Sequence, residues 1–87
     1  VRKYKVVFLP PAEKQLARIG NVEARCVLEK LRWLSENFER IAPESLTAGL
    51  KGFLKLRVGD VRVIYTAEKE TRKIRVHLIG HRREIYK

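Results

Sequence analysis

Phe53-Leu54-Lys55-Leu56-Arg57-Val58-Gly59-Asp60-Val61-Arg62-Val63-Ile64-Tyr65 alternates its side chains on either side of a Gly-Asp pair. In the first half Leu54, Leu56 and Val58 share one side, against Phe53, Lys55 and Arg57; in the second Val61, Val63 and Tyr65 stand against Arg62 and Ile64. A two-residue loop at Gly59-Asp60 predicts a β-hairpin that pairs Val58 with Val61, and therefore Arg57 with Arg62. Like charges directly opposite on an antiparallel ladder destabilise it. A sheet face that carries them is matched by a polyanion.

Working outward, residues 3–9 alternate through Tyr4, Val6 and Phe8 and predict a strand that Pro10-Pro11 ends. Ala12, Leu16 and Ile19 recur at helical spacing over 11–19, where Gly20 closes the helix and Asn21 caps the next. From 22 to about 40, Val27, Leu31, Leu34, Phe38 and Ile41 follow three- and four-residue steps, flanked by Cys26 and Trp33. A Gly-Asn joint leaves length only for two antiparallel helices, and Cys26 is expected as a small core residue. Residues 42–52, with Pro43, Gly49 and Gly52, read as a loop leading to three strands at 53–58, 61–67 and 73–80. In the last strand Ile74, Val76 and Leu78 are expected on the core side, with Lys73, Arg75, His77 and Ile79 opposite. Helices that precede strands without alternating with them predict an α+β fold, a two-helix hairpin on one face of a mostly antiparallel four-stranded sheet. The other face then collects Lys55, Arg57, Arg62, Arg75 and His77.

Over 87 residues, 20 Lys+Arg stand against 10 Asp+Glu, a formal charge of +10 that gives a pI near 10.3. That is the footprint of a nucleic-acid-binding domain, although an anionic membrane or acidic protein meets the same description. The length allows one core and hence a single domain over residues 1–87. No apolar run approaches the ~20 residues of a bilayer span, and the amino terminus opens into a strand pattern without the marks of a secretion signal. With Cys26 as the lone cysteine, no intrachain disulfide can form. The expected compartment is the cytoplasm, with no membrane partner.

Cleaving RNA without a metal needs a base for the 2′-hydroxyl, cations for the five-coordinate phosphorus and an acid for the leaving oxygen. Guanidinium forks suit the second task. Asp60, Glu68 and Glu70 fall at turns, and no carboxylate pair or histidine cluster shows ligand spacing, so neither metal nor other cofactor is expected. The chain closes on Gly80-His81-Arg82-Arg83-Glu84-Ile85-Tyr86-Lys87, which adds two guanidiniums, an imidazole and a phenol near the last strand. Beside those arginines His81 is the side chain type whose ordinary pKa lies nearest neutrality, which makes it a candidate base. Tyr86 is placed to stack on a nucleobase, while Tyr65 packs in the core by parity.

Leu50-Lys51-Gly52 running into the hairpin, together with Ile79-Gly80-His81-Arg82-Arg83-Glu84-Ile85-Tyr86, resembles the RelE branch of the RelE/ParE superfamily of toxins from type II toxin–antitoxin pairs. The resemblance covers nearly the whole chain and implies the same compact fold. It implies a ribosome-dependent endoribonuclease that cuts messenger RNA in the A site and inhibits translation, neutralised by an acidic RelB-like antitoxin. Lys55, Arg62, Arg82 and Tyr86 match the positions implicated in catalysis, and His81 joins them as our own candidate. Lys51, Arg57, Arg75, His77 and Arg83 are the expected RNA contacts. The best-known members carry a second lysine where this chain has Phe53, and their terminal motif is two residues longer. The alternatives are a ParE-like inhibitor of DNA gyrase and a non-catalytic basic RNA-binding module.

Overall fold

The computed structural model describes residues 3–41, 43–45 and 52–85, with residues 44, 45, 84 and 85 described in backbone only. Strand β1 (Lys5–Phe8) leads into helix α1 (Pro10–Arg18) and helix α2 (Asn21–Asn37), which tightens into a 3-10 turn at Phe38–Arg40. Strands β2 (Glu44–Ser45), β3 (Leu54–Val58), β4 (Val61–Glu68) and β5 (Lys73–His81) follow, and a single helical turn, α3 (Arg82–Ile85), ends the described chain. The sheet order is β1-β5-β4-β3-β2. β1 runs parallel to β5 and every other pairing is antiparallel. The expected two helices on a mostly antiparallel sheet are therefore present. The two-residue β2, pairing Glu44 with Lys55, adds a short edge within the segment expected to be loop.

Pro10 and Pro11 stop β1 because neither can donate to a ladder, and they open α1 where their missing N–H groups leave no helical bond unmade. Gly20 joins the helices at φ 106°, a backbone region that L side chains rarely adopt. α1 lies on β5, and α2 lies across β1, β3 and β4. Between them and the sheet sit Val27, Leu31 and Leu34 of α2, Phe38, and the inward residues Val61, Val63, Tyr65, Ile74 and Val76. Tyr4, Phe38 and Tyr65 meet in turn, the first pair tilted and the second edge to face, with ring centroids 5.0 Å and then 6.4 Å apart. Burial pushes the Tyr65 phenol up to about 12, as its expected core position requires.

Two expectations are overturned. Cys26 is exposed, because the α2 stripe that meets the sheet is narrow: Val27 occupies it, and its neighbour in sequence is turned ~100° away toward solvent. In β5, strict alternation fails. Tyr65 pairs with Val76 but Ile64 pairs with Leu78, so β5 holds one residue, His77, that has no opposite in β4. This β-bulge reverses the parity of everything beyond it. Ile79 turns into the core at 1% exposure, and Leu78 turns out to the other face at 40%.

Beyond Val76 the outer edge of β5 has lost its β1 partner, since β1 pairs with β5 only as far as the Phe8–Val76 register. Helix α1 takes over there. The Ile79 N–H donates to the Gln15 side-chain oxygen at 2.7 Å, which satisfies a partly buried donor that the shortened strand leaves behind. Replacing Gln15 with leucine keeps the volume and removes the acceptor, and the expected loss is about 1–3 kcal/mol, read as a lower midpoint in urea unfolding. Gln15→Glu, which retains an oxygen there, is expected to lose less.

Candidate functional site

The hairpin register is the one the alternation predicts, with Val58 opposite Val61 and Arg57 opposite Arg62. Gly59 has φ 61° while Asp60 does not share that positive sign. Positive φ at the first central residue alone is the type II′ pattern, which suits the right-handed twist of the flanking strands. The repulsion between the two arginines is met locally. Arg62 Nη1 donates to the Gly59 carbonyl at 2.7 Å and to the Val61 carbonyl at 3.2 Å. The turn therefore anchors the guanidinium with backbone dipoles.

Arg82 arrives from the other end of the chain. His81 pairs with Val61, and the Arg82 N–H donates to the Asp60 carbonyl at 2.8 Å, which fastens the start of α3 to the hairpin turn. Lys55, Arg57, Arg62 and Arg82 consequently line one surface depression of about 260 Å³. A neighbouring depression of about 450 Å³ is lined by Asp60, His81, Arg82 and Arg83. Arg82 belongs to both. Four cations around so small a space set up a positive potential that favours phosphate oxygens.

The other expected site residues divide by place. His81 and Arg83 lie in the second depression, next to Arg82 and separate from the first. Arg75 stands further along β5 and pairs with Glu68, Nη1 to Oε2 at 3.4 Å. Glu68 is held below the usual carboxylate range, chiefly by the Thr71 hydroxyl and then by Arg75 and Lys73. His77 lies in the same region, with its Nε2 3.0 Å from Thr66 Oγ1. Lys51 and Tyr86 fall outside the described residues. Among the described residues no group of three or more His, Cys, Asp or Glu side chains is arranged to hold a metal ion, and no helix is long and apolar enough to cross a membrane.

Three features were not legible beforehand. α3 and its tie to the Asp60 carbonyl depend on the hairpin being folded first. The β5 bulge had a faint signal in Val76, Leu78 and Ile79, whose apolar positions break a period of two. The third is an apolar cover on the cationic face: Ile64 points away from the helices and is still only 3% exposed.

Comparison with known proteins bears on this arrangement. The family model of the ParE toxin of type II toxin–antitoxin systems matches residues 6–86. The chain belongs to the RelE/ParE toxin superfamily. The toxin–antitoxin complex RelBE2 from Mycobacterium tuberculosis is similar in fold, with a TM-score of 0.80 and 24% identity over 91% of each chain. An arginine-to-alanine double mutant of the Escherichia coli toxin RelE in the free state gives 0.76 and 25%, over 97% of this chain and 90% of that one. The RelE–RelB complex from the archaeon Pyrococcus horikoshii OT3 gives 0.72 and 22%, over 92% and 96%. No curated protein sequence matches the chain.

Burial, and then Arg75, lower the pKa of His77 below its ordinary 6.5 in this toxin. The folded chain thus prefers the neutral ring, and unfolding takes up a proton in mildly acid solution. The resulting stability is complete above pH 6.5 and is lost as pH falls through the depressed value. Urea midpoints measured across this window are expected to fall with acidification more steeply for wild type than for His77→Gln, the two profiles running parallel above it.

Proposed function

We propose that this toxin, acting as a single domain in the cytoplasm, is a ribosome-dependent endoribonuclease that cleaves messenger RNA in the A site without a metal and so inhibits translation. The observation that carries this reading is the convergence of Lys55, Arg57, Arg62 and Arg82 on one depression, brought there by the two arms of one hairpin and a turn of helix from much later in the chain. In the reaction the 2′-hydroxyl oxygen bonds to the adjacent phosphorus and the bond to the 5′-oxygen breaks. The hydroxyl proton passes to a base and the leaving oxygen gains a proton. Arg62, immobilised on the turn carbonyls, stabilises the charge that builds on the non-bridging oxygens. Lys55 acts on the 2′-hydroxyl or the phosphate, and Arg82 acts at the scissile phosphate or leaving group. His81, beside Arg82, is the candidate base, and Tyr86 the candidate nucleotide contact. Lys51, Arg57, Arg75, His77 and Arg83 extend the RNA-binding surface. The ribosome supplies the remaining alignment of the message.

An acidic RelB-like antitoxin is the expected partner. Similar folds occur in complexes of RelE with RelB, including a RelE mutant bound to a RelB peptide, and the net charge of +10 favours an acidic segment. A second reading, a ParE-like inhibitor of DNA gyrase, is supported by the ParE family model. The four converging cations favour RNA cleavage, because the site and not the fold decides function.

Expression is expected to arrest growth and to leave message cut within the ribosomal A site, detected by toeprinting. Arg62→Ala and Arg82→Ala are each expected to lower the cleavage rate by roughly 10²–10³-fold with unchanged urea midpoints. Growth arrest that persists undiminished in both variants, or trapped cleaved DNA in a supercoiling assay, would overturn the nuclease reading.

A further inference from the structure

The side of the sheet away from the helices is uneven. Its hairpin end is cationic, while the opposite end carries Phe53, Ile64, Thr66, His77 and Leu78. The Phe53 and His77 rings meet edge to face, with centroids 5.0 Å apart and planes inclined at 69°. His77 is in turn tied to Thr66 at 3.0 Å. Alternation from Arg75 already places it on this side, and the bulge adds Leu78 next to it, so that His77 and Leu78 both emerge near Ile64. Phe53, just ahead of β3, therefore reaches across β4 to a ring on β5.

Covering Ile64 accounts for part of this arrangement. It leaves unexplained why the cover is a pair of aromatic rings, both only half-buried, next to the cation cluster. Phe53 lies two residues before Lys55 on the same side, about 7 Å along the strand, a separation on the scale of one nucleotide step. The other described aromatic rings are elsewhere: Tyr4, Phe38 and Tyr65 are in the core, Phe8 packs against it, and Trp33 is on the outer side of α2. Single-stranded RNA is commonly held by cations along its backbone and rings beneath its bases.

We propose that Phe53, steadied by His77 and Thr66, is the platform on which a nucleobase of single-stranded RNA stacks when the adjoining phosphate occupies the depression of Lys55, Arg57, Arg62 and Arg82. This rests on the RNA-cleaving reading above and names the part of the surface that holds the base. Phe53 is then a substrate-binding residue, and His77 and Thr66 are positioning residues that act through it. Stacking tolerates any base, so the platform contributes affinity and placement and only a modest preference for larger rings.

The test uses a short oligoriboadenylate that contains one 2-aminopurine, preceded by a 2′-deoxy sugar so that it is not cut, titrated into the full-length toxin. Stacking quenches 2-aminopurine fluorescence, a signal that mere cover of Ile64 would not produce. Wild type is expected to quench. Phe53→Leu and Phe53→Met, which still cover Ile64, are expected to bind about ten- to a hundredfold more weakly and to lose the quench, whereas Phe53→Trp retains both. Urea midpoints select the folded variants. Undiminished binding and quenching in a folded Phe53→Leu or Phe53→Met protein would overturn the proposal, as would absence of quenching in wild type. Cleavage on programmed ribosomes is read in parallel with Arg62→Ala as the control. A wild-type protein that quenches through Phe53 but cuts no message refutes the nuclease reading and leaves the platform standing; cutting without a Phe53-dependent quench does the reverse.

Discussion

Everything at the cationic end of this molecule depends on how one hairpin tolerates two arginines directly opposite each other. Strand pairing places Arg57 against Arg62, a contact that costs stability on its own. The type II′ turn meets that cost with its own backbone, since the Gly59 and Val61 carbonyls receive one nitrogen of the Arg62 fork. The same turn presents the Asp60 carbonyl to the Arg82 N–H. One tight turn thus holds an arginine of the hairpin and anchors the segment that delivers another.

A second constraint acts at the other end of the face. β1 ends at Phe8, ahead of Pro10, so β5 continues past its parallel partner, and α1 supplies Gln15 to the Ile79 N–H. The bulge at His77 lies between these regimes. By inserting one residue it sends Ile79 into the core and brings Leu78 outward beside His77, which meets Phe53 and Thr66. The open face is in this way divided between a charged half that suits phosphate and an aromatic half that suits a flat ring. Both halves lie on the side of the sheet away from the core that α1 and α2 cover.

Family membership and site chemistry bear on different questions here. The folds of RelE proteins from bacteria and an archaeon agree with this architecture, and the ParE family model gives a toxin of the type II class. The chemistry rests on side chains, and the departure at Phe53 from the lysine of the best-known relatives matters there. It puts a ring in place of a charge beside the depression that Lys55, Arg57, Arg62 and Arg82 line.

Strand alternation, the Gly-Asp turn and the prolines by themselves determined the hairpin register, the core side of β3 and β4 and the opposition of Arg57 and Arg62, because these are local consequences of a period of two and of restricted backbone angles. Charge composition determined the class of partner. Only the tertiary structure decided which residues meet. Arg82 reaches Lys55 through a helical turn docked on a hairpin, Cys26 faces solvent because the α2 contact is one narrow stripe, and Ile79 displaces Leu78 from the core through a bulge that pairing with β4 creates. Each of these depends on contacts between segments far apart in the chain, where side-chain spacing along the sequence carries no record of the distance in space.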